Sequence, residues 1–577
     1  MTFTWKIGGE AGFGIMTVGL IFSKIASRLG YHILDYFEYP SLIRGGHNAY
    51  EVCVSDEEVT ALKKEIDILI CLNKETFQKH KSRLTSESFV FYDKEEFDFE
   101  DNFKKINIPL KKIVADLKGP AIIKNTIALG ASLAILGGKI EVLLDLIAEQ
   151  FKKKGDETVE FNQRFAIAGY KEVKKNYSAL ITNFLVEKKE KKEKLVLSGN
   201  EAFSLGAVVA DCRLYSAYPM TPSSSVLHTL ASWQEKTGMI VRHAEDEIAV
   251  INTVLGASFC GVRAAVGTSG GGFSLMVESL SFAGMAEIPI VVFLAQRPGP
   301  ATGMPTWTEQ GDLLFAIFSG HGEFPKIILA PGDQKEMLEL TLKAFNLADI
   351  YQTPVVVVSD MYLSEAHKTV EKDWFKKIVA EYKINRGKTN LTQNSKARSK
   401  KLEIFLRYKI TDDGISEKII PGTPGYFYQE NSYEHLEDGH TTEEAESRKA
   451  QVEKRLKKWQ TYLKNDFQQP KFYGDEKAKI VFISWGSTKG IVLAAQKRLK
   501  ERGIKTGFYH FNHLYPLDKE KVFQLLKKDN KKYFLVENNA LGQFGKILAM
   551  EVGLEVEKKI LRYDGRPITV EEIIDKI

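Results

Sequence analysis

The stretch Ile288-Pro289-Ile290-Val291-Val292-Phe293-Leu294 leads through Ala295 into Gln296-Arg297-Pro298-Gly299-Pro300-Ala301-Thr302-Gly303-Met304-Pro305-Thr306. A short apolar run followed by proline and glycine predicts a buried strand and a loop. The loop carries one arginine and two threonines at the strand's carboxyl end, where α/β folds bind ligands. An arginine there can grip a carboxylate through two parallel hydrogen bonds.

Further strand-like runs flank this one at Ile240–Arg242, Val262–Val266, Lys326–Ala330 and Pro354–Ser359, so residues 195–374 read as an α/β block. Ahead of it, Thr4–Ile7 alternates, a glycine turn Gly8–Gly14 follows, and a helix is predicted over Ile15–Leu29. Runs at Ile66–Leu72 and Ser88–Tyr92 and a helix near Asn125–Leu136 continue a βαβ rhythm, which predicts a mostly parallel sheet over residues 1–186. The charge run Lys188–Lys194 has no apolar periodicity and marks a linker at 187–194. Residues 375–475 are polar and rich in turns, an irregular connector with one charged helix at Thr442–Tyr462. Residues 476–577 return to α/β, with strands at Ile480–Ser484, Lys505–His510 and Tyr533–Glu537 and a helix at Ile491–Arg502.

A chain of 577 residues exceeds a single core, and three or four domains are expected. Its 80 basic and 75 acidic residues leave a net charge of +5, too little to argue for nucleic acid. Cys53, Cys71, Cys212 and Cys260 are far apart in sequence, which excludes an iron–sulfur or zinc motif and predicts buried thiols in a reducing compartment. The N-terminus begins as a strand without a signal-peptide pattern, and the longest apolar stretch, Ile127–Leu136, is too short to span a bilayer. The expectation is a cytoplasmic protein with neither membrane nor nucleic acid as partner and no metal ligated by this chain.

Three more motifs carry chemistry. Tyr218-Pro219-Met220-Thr221-Pro222-Ser223-Ser224, preceded by Gly199-Asn200-Glu201-Ala202, holds Thr221 between two prolines on a stiff turn. Thr221 there either presents its hydroxyl to a ligand or caps a helix with Pro222 at its first position. In His243-Ala244-Glu245-Asp246-Glu247, Glu245 and Asp246 read as acids at a helix start. Glu247 precedes a small, apolar helical face, where an acid needs a partner. Gly267-Thr268-Ser269-Gly270-Gly271-Gly272-Phe273-Ser274 is a glycine run between strand and helix that lets backbone approach a ligand; it lacks the Gly-Lys-Ser/Thr of a P-loop. Gly9, Gly12 and Gly14, with Asp35 ending the next strand, mimic a dinucleotide site, but their order departs from Gly-x-Gly-x-x-Gly.

Taken in order, the Tyr218–Ser224 motif, the Glu247 helix, Thr268–Met276 and Gln296–Thr306 resemble the α subunit of 2-oxoacid:ferredoxin oxidoreductases. Residues 1–186, with Gly9–Gly14 and Ile43-Arg44-Gly45-Gly46-His47-Asn48, resemble the γ domain that some members fuse ahead of α. Residues 476–577, with Trp485-Gly486-Ser487-Thr488, Pro516 and Val536-Glu537-Asn538-Asn539, resemble a transketolase C-terminal-like domain. The resemblance implies a multidomain α/β fold with a pyrimidine-type thiamine-diphosphate-binding domain between those two. One departure is Gly271, which stands where the family usually has proline.

The resemblance further implies coenzyme A-dependent oxidative decarboxylation of a 2-oxoacid, with electrons passing to ferredoxin. Glu247 would bond N1′ of the cofactor's aminopyrimidine as the catalytic acid–base. Tyr218, Pro219, Gly270 and Phe273 would line the cofactor, and Thr221, Arg297 and Thr306 the substrate. Arg44 and His47 would either touch coenzyme A or support the turn at Gly45-Gly46. No Gly-Asp-Gly followed by Asn is present for a metal-bound diphosphate. Mg2+ and a 4Fe–4S cluster are therefore expected on a β subunit, with the cofactor at the interface of an αβ or (αβ)2 assembly. The fused layout favours 2-oxoglutarate; the alternatives are pyruvate, a broad 2-oxoacid range, or a non-catalytic scaffold subunit. Retention of Glu247, Thr221 and Arg297 together argues against a scaffold.

Overall fold

The computed structural model of the chain describes all residues except 41–45, 391–401 and 528–530. The chain forms two units, one of residues 1–198 with 366–377 and one of 199–365 with 378–577.

In the first unit, the helix Ile15–Arg28 starts after Gly14, whose φ of 67° reverses the chain out of the strand Thr2–Glu10. Ile15, Val18, Ile21, Phe22 and Ile25 recur at helical spacing and are buried beneath the sheet's apolar face, which includes Trp5, Ile7 and Tyr50. The helix Lys124–Ile135 is buried almost all round, and it meets the helix Asp156–Asn176 at Gly130 and Gly169. A side chain at either glycine would run into a carbonyl oxygen of the other helix, so the two backbones touch.

The sheet has eight strands, ordered Lys104–Asn107, Leu84–Tyr92, Ile66–Cys71, Thr2–Glu10, His47–Ser55, His32–Glu38, His367–Glu371 and Lys194–Ser198. The first four run parallel as expected, but the rest pair antiparallel, so the sheet is mixed. The loop between His32–Glu38 and His47–Ser55 is too short for a crossover helix, which forces an antiparallel pair. The last two strands also correct the expected boundaries. Lys194–Ser198 and His367–Glu371 lie at the two ends of the block expected at 195–374, yet they pair with each other, Ser198 opposite His367, in this unit's sheet.

The second unit holds two sheets. Seven strands run in the order His513–Tyr515, Ile327–Leu329, Val355–Asp360, Val291–Gln296, Arg263–Thr268, Cys212–Ala217 and Ile240–His243. All pair parallel except His513–Tyr515, which is antiparallel and comes from the C-terminal segment. Helices cover the sheet, and strands such as Val355–Asp360, four valines followed by Ser359 and Asp360, are buried at every position because both faces are covered. The second sheet has five strands, in the order Lys471–Gly474, Thr506–Phe511, Ile480–Trp485, Lys532–Glu537 and Lys558–Leu561.

The connector is less irregular than its composition predicts. Its helix runs Ala445–Asn465 and sends Lys454 and Lys458 to Glu287, at 2.5 and 2.6 Å, all three fully buried. Arg407 donates to the carbonyl of Glu287 at 2.9 Å and to Gln352 at 2.8 Å. The lysines are paired with Glu287 and Arg407 is hydrogen-bonded, which is the condition for burying such charges at all. Among the described residues, no helix is long and apolar enough to cross a membrane.

Candidate active site

Four neighbouring parallel strands, Val291–Gln296, Arg263–Thr268, Cys212–Ala217 and Ile240–His243, end on the same side of the sheet and release every motif of the middle block. After Ile240–His243, the helix Glu247–Phe259 is capped by Asp246, which accepts from Ala249 N–H at 2.8 Å. Capping by Asp246 leaves Glu247 free to turn inward. Glu247 is 5% exposed, and its Oε1 has no hydrogen-bond partner. A buried carboxylate oxygen without a donor is costly in a folded chain and points to a group from outside it.

The glycine run explains the space around that oxygen. Gly270 begins the helix Gly270–Met285. A Cβ on Gly272 would lie 2.6 Å from Glu247 Oε1 and collide with Thr268 Oγ1, so only glycine fits there. Gly271, the departure from the family pattern, has nothing within 4 Å of its would-be Cβ and sits in the first helical turn, where a proline is also tolerated. Phe273 differs from expectation. It is fully buried, edge-on to Phe315 at 5.2 Å, and leaves no surface for a ligand, so it supports the turn from below.

The Thr221 turn is braced by Asn200, whose amide donates to Pro222 O at 2.7 Å and Ser225 Oγ at 2.6 Å. The next helix starts at Ser224, so Thr221 is not its cap. The Thr221-Pro222 peptide is cis. Arg297 reaches across from the neighbouring loop and donates to Thr221 O at 2.8 Å, which brings these two predicted residues together. Thr306, in the same loop as Arg297, is buried with its Oγ1 unpartnered. Tyr218 and Pro219 are exposed, Tyr218 facing His243 with ring centroids 6.2 Å apart.

Sequence reasoning stopped at Thr306 and missed the rest of the loop. Asp312 donates its N–H to Gln296 Oε1 at 2.8 Å, and its Oδ2 has no partner. Burial pushes the Asp312 carboxyl up to about 6, against the pull of Arg297. Glu309 is pushed up to about 7, first by burial and then by Asp312. The only signal was polar crowding in Thr308-Glu309-Gln310-Gly311-Asp312 ahead of an apolar helix.

The C-terminal motif has a job here. Gln310 and Asn538 exchange hydrogen bonds, N–H to O at 2.7 Å and N–H to Oε1 at 2.9 Å, and Asn539 Nδ2 donates to Gln310 O. Glu537, wholly buried, accepts from Asn539, Trp485 and the backbone N–H groups of Phe544 and Gly545. The motif therefore fixes the loop that carries Arg297, Thr306 and Asp312.

In the first unit, His47 is buried and its Nε2 lies 2.9 Å from His80 Nε2. Burial, helped by Lys79, lowers it to about 4, so it is neutral near pH 7. Its partner is structural, whereas its Nδ1 has none. Arg44 lies outside the described residues.

Three family models match in chain order: "Pyruvate ferredoxin/flavodoxin oxidoreductase" over residues 4–172, "Pyruvate flavodoxin/ferredoxin oxidoreductase, thiamine diP-bdg" over 205–454, and "Transketolase, C-terminal domain" over 474–571. They define an oxidoreductase subunit built around a thiamine-diphosphate-binding domain. The 2-oxoacid:ferredoxin oxidoreductase subunit alpha of Saccharolobus solfataricus is 33% identical across 100% of this chain and 97% of its own. The 2-oxoglutarate synthase subunit KorA of Methanocaldococcus jannaschii is 33% identical over 60% of this chain and 88% of its own. The structure of 2-oxoglutarate:ferredoxin oxidoreductase from Magnetococcus marinus, with 2-oxoglutarate, coenzyme A and succinyl-CoA bound, superposes with a TM-score of 0.89 at 30% identity, covering 100% of this chain and 98% of that one. The chain belongs to the 2-oxoacid:ferredoxin oxidoreductase alpha-subunit family.

Proposed function

We propose that this chain is the alpha half of a coenzyme A-dependent 2-oxoacid:ferredoxin oxidoreductase that prefers 2-oxoglutarate and works only with a β subunit. One observation carries the reading: the buried, unpartnered Glu247 Oε1 facing a glycine turn that no side chain may fill. Those features fit the aminopyrimidine of thiamine diphosphate, a flat heterocycle with a ring nitrogen that needs a carboxyl proton. When bound, that cofactor supplies a nucleophilic carbon for the 2-oxo group and a sink for the charge left by carbon dioxide.

Glu247 then holds or gives up a proton at Oε1, in a place where water is excluded and the hydrogen bond is strong. Arg297, pinned to the Thr221 turn, presents its remaining donors to the substrate carboxylate, and Thr221 and Thr306 offer hydroxyls beside it. Gly270 and Gly272 keep backbone and not side chain against the cofactor. Tyr218 and Pro219 form the exposed rim. Arg242 and His243, both exposed on the strand that leads to Glu247, are candidates for the second carboxylate of 2-oxoglutarate. The 2-oxoglutarate preference is supported by the named substrates of the two relatives above and by the fused layout.

The other half of the site belongs to the β subunit, which would bring Mg2+, the diphosphate motif and a 4Fe–4S cluster. Among the described residues no group of three or more His, Cys, Asp or Glu could hold a metal. Ile248, Leu275 and Phe318, exposed on the helices around Glu247, are apolar surface for such a partner to cover. His47 and Arg44 are proposed for coenzyme A, with ferredoxin as electron acceptor and the cytoplasm as the compartment.

The test is co-expression with the β subunit, followed by a panel of 2-oxoacids with coenzyme A and a viologen dye. Dye reduction that is fastest with 2-oxoglutarate is expected. Faster turnover of pyruvate would overturn the substrate preference, and no turnover with any 2-oxoacid would leave the scaffold role in its place.

A further inference from the structure

The loop that carries Arg297 also carries a carboxyl for which the proposed reaction has no use. Asp312 is held at both backbone ends, its N–H on Gln296 Oε1 and its carbonyl accepting from Ala316 N–H at 2.8 Å. Its side chain turns back onto the glycine turn, where a Cβ on Gly270 would lie 2.5 Å from Oδ2. Glu247 and Asp312 thus flank the same three glycines, one against Gly272 and one against Gly270. Both keep an oxygen without a donor.

The charged groups facing Asp312 are few. Arg297 and Glu309 come from its own loop, while Glu247 lies on the far side of the glycine turn, against Gly272. The first turn of the Gly270 helix contributes no acid or base. From the C-terminal domain comes Gln543, a neutral amide bonded to Gly311 O and Leu314 N–H. Among the described residues Arg297 is the cation that pulls on this carboxyl and Oδ2 has no donor, so burial prevails and the carboxyl holds its proton to about pH 6.

We propose that Asp312 is a positioning residue for the substrate: ionised, it offsets the charge of Arg297, and it takes up a proton as the 2-oxoacid carboxylate docks there. The inference rests on the reading of Arg297 as the carboxylate anchor. Bringing a second anion beside Asp312 raises its hold on a proton, and by reciprocity a proton on Asp312 tightens the grip on the anion. Below about pH 6 the carboxyl is neutral and binding is strongest. Above that, affinity falls by up to about tenfold per pH unit until the pH passes the carboxyl's value in the complex.

The experiment uses the assembled complex with its β subunit, between about pH 6 and about pH 8. Steady-state KM and kcat are measured with whichever 2-oxoacid the panel selects. Proton uptake on binding N-oxalylglycine, an unreactive carboxylate analogue, is read by calorimetry in two buffers of different ionisation heat. The wild-type complex is expected to take up a fraction of a proton near pH 7, with KM rising at least about threefold across the range while kcat follows a separate course. Asp312→Asn should abolish the uptake and flatten KM, and Glu309→Gln should leave both in place. A wild-type complex with flat KM and no uptake overturns the proposal without need of a variant. So does an Asp312→Asn complex that keeps the wild-type profile, or a Glu309→Gln complex that loses it. Arg297→Lys with unchanged KM would instead sink the anchor itself, a separate failure.

Discussion

On the proposed reading Glu247 is the residue on which the chemistry turns, and it is buried with its Oε1 unpartnered. Glu247→Gln keeps the size and loses the ionisable carboxyl, so turnover of the assembled complex should drop about 100-fold or more. Elution with the β subunit should stay unchanged; near-normal turnover would remove Glu247 from the mechanism. The glycines beside it are not equivalent. Gly272→Ala drives a methyl into Thr268 and Glu247, an overpacking expected to cost about 1–3 kcal/mol and to displace the carboxylate. Gly271→Ala meets open space, and its effect on stability should stay within about 0.5 kcal/mol. Melting curves of the two variants side by side decide this, and equal shifts would contradict the geometry.

At the scale of elements, the strands and the helix starts around the site were legible because their signals are local. Apolar runs closed by Gly and Pro gave the strand Val291–Gln296 and its loop, and Asp246 before Glu247 gave a capped helix. What the chain did not announce is pairing between distant segments. Nothing near Lys194 or His367 says that they lie side by side, and nothing in His513–Tyr515 says that it leaves its own domain's sheet. The carboxyl of Asp312 was missed because its importance comes from burial by Gly270 and Gln296, neither adjacent in sequence. Ion clusters were equally silent. In the first unit Glu51 is fully buried between Lys6, at 3.0 Å, and Arg83, at 2.6 Å. Burial raises its carboxyl, but the two cations outweigh it and hold the group at about 2. A carboxyl lowered on folding stabilises above its unfolded value and loses that contribution as pH falls toward 2. Melting temperature should therefore fall between about pH 5 and about pH 2.5 in the wild type. Much of that slope should vanish in Glu51→Met, which also removes the charge; an unaltered slope would assign the acid sensitivity elsewhere.

For the whole molecule, the C-terminal domain is part of the scaffold that holds the candidate site and not an appendage. It supplies an edge strand to the seven-stranded sheet and the Asn538–Gln310 and Gln543–Gly311 bonds to the loop that carries Arg297. A chain ending at Gly474 loses all of these and uncovers the strand Ile327–Leu329. That truncation is expected to aggregate or to melt without a cooperative transition. A soluble truncated chain with the full-length melting temperature would show the middle domain to be independent.

The return of His367–Glu371 to the first unit's sheet has a consequence during synthesis. The sheet's last two strands are separated by the whole stretch 199–365, which belongs elsewhere. A ribosome adding about 5–20 residues per second takes roughly ten to thirty seconds to cross that stretch. Throughout that interval the nascent strand His32–Glu38 presents an open edge, and Lys194–Ser198 waits for the neighbour that will join it to the sheet. This sheet is thus sealed only after the stretch 199–365 has appeared, and a chaperone that shields strand edges would act on it during that interval.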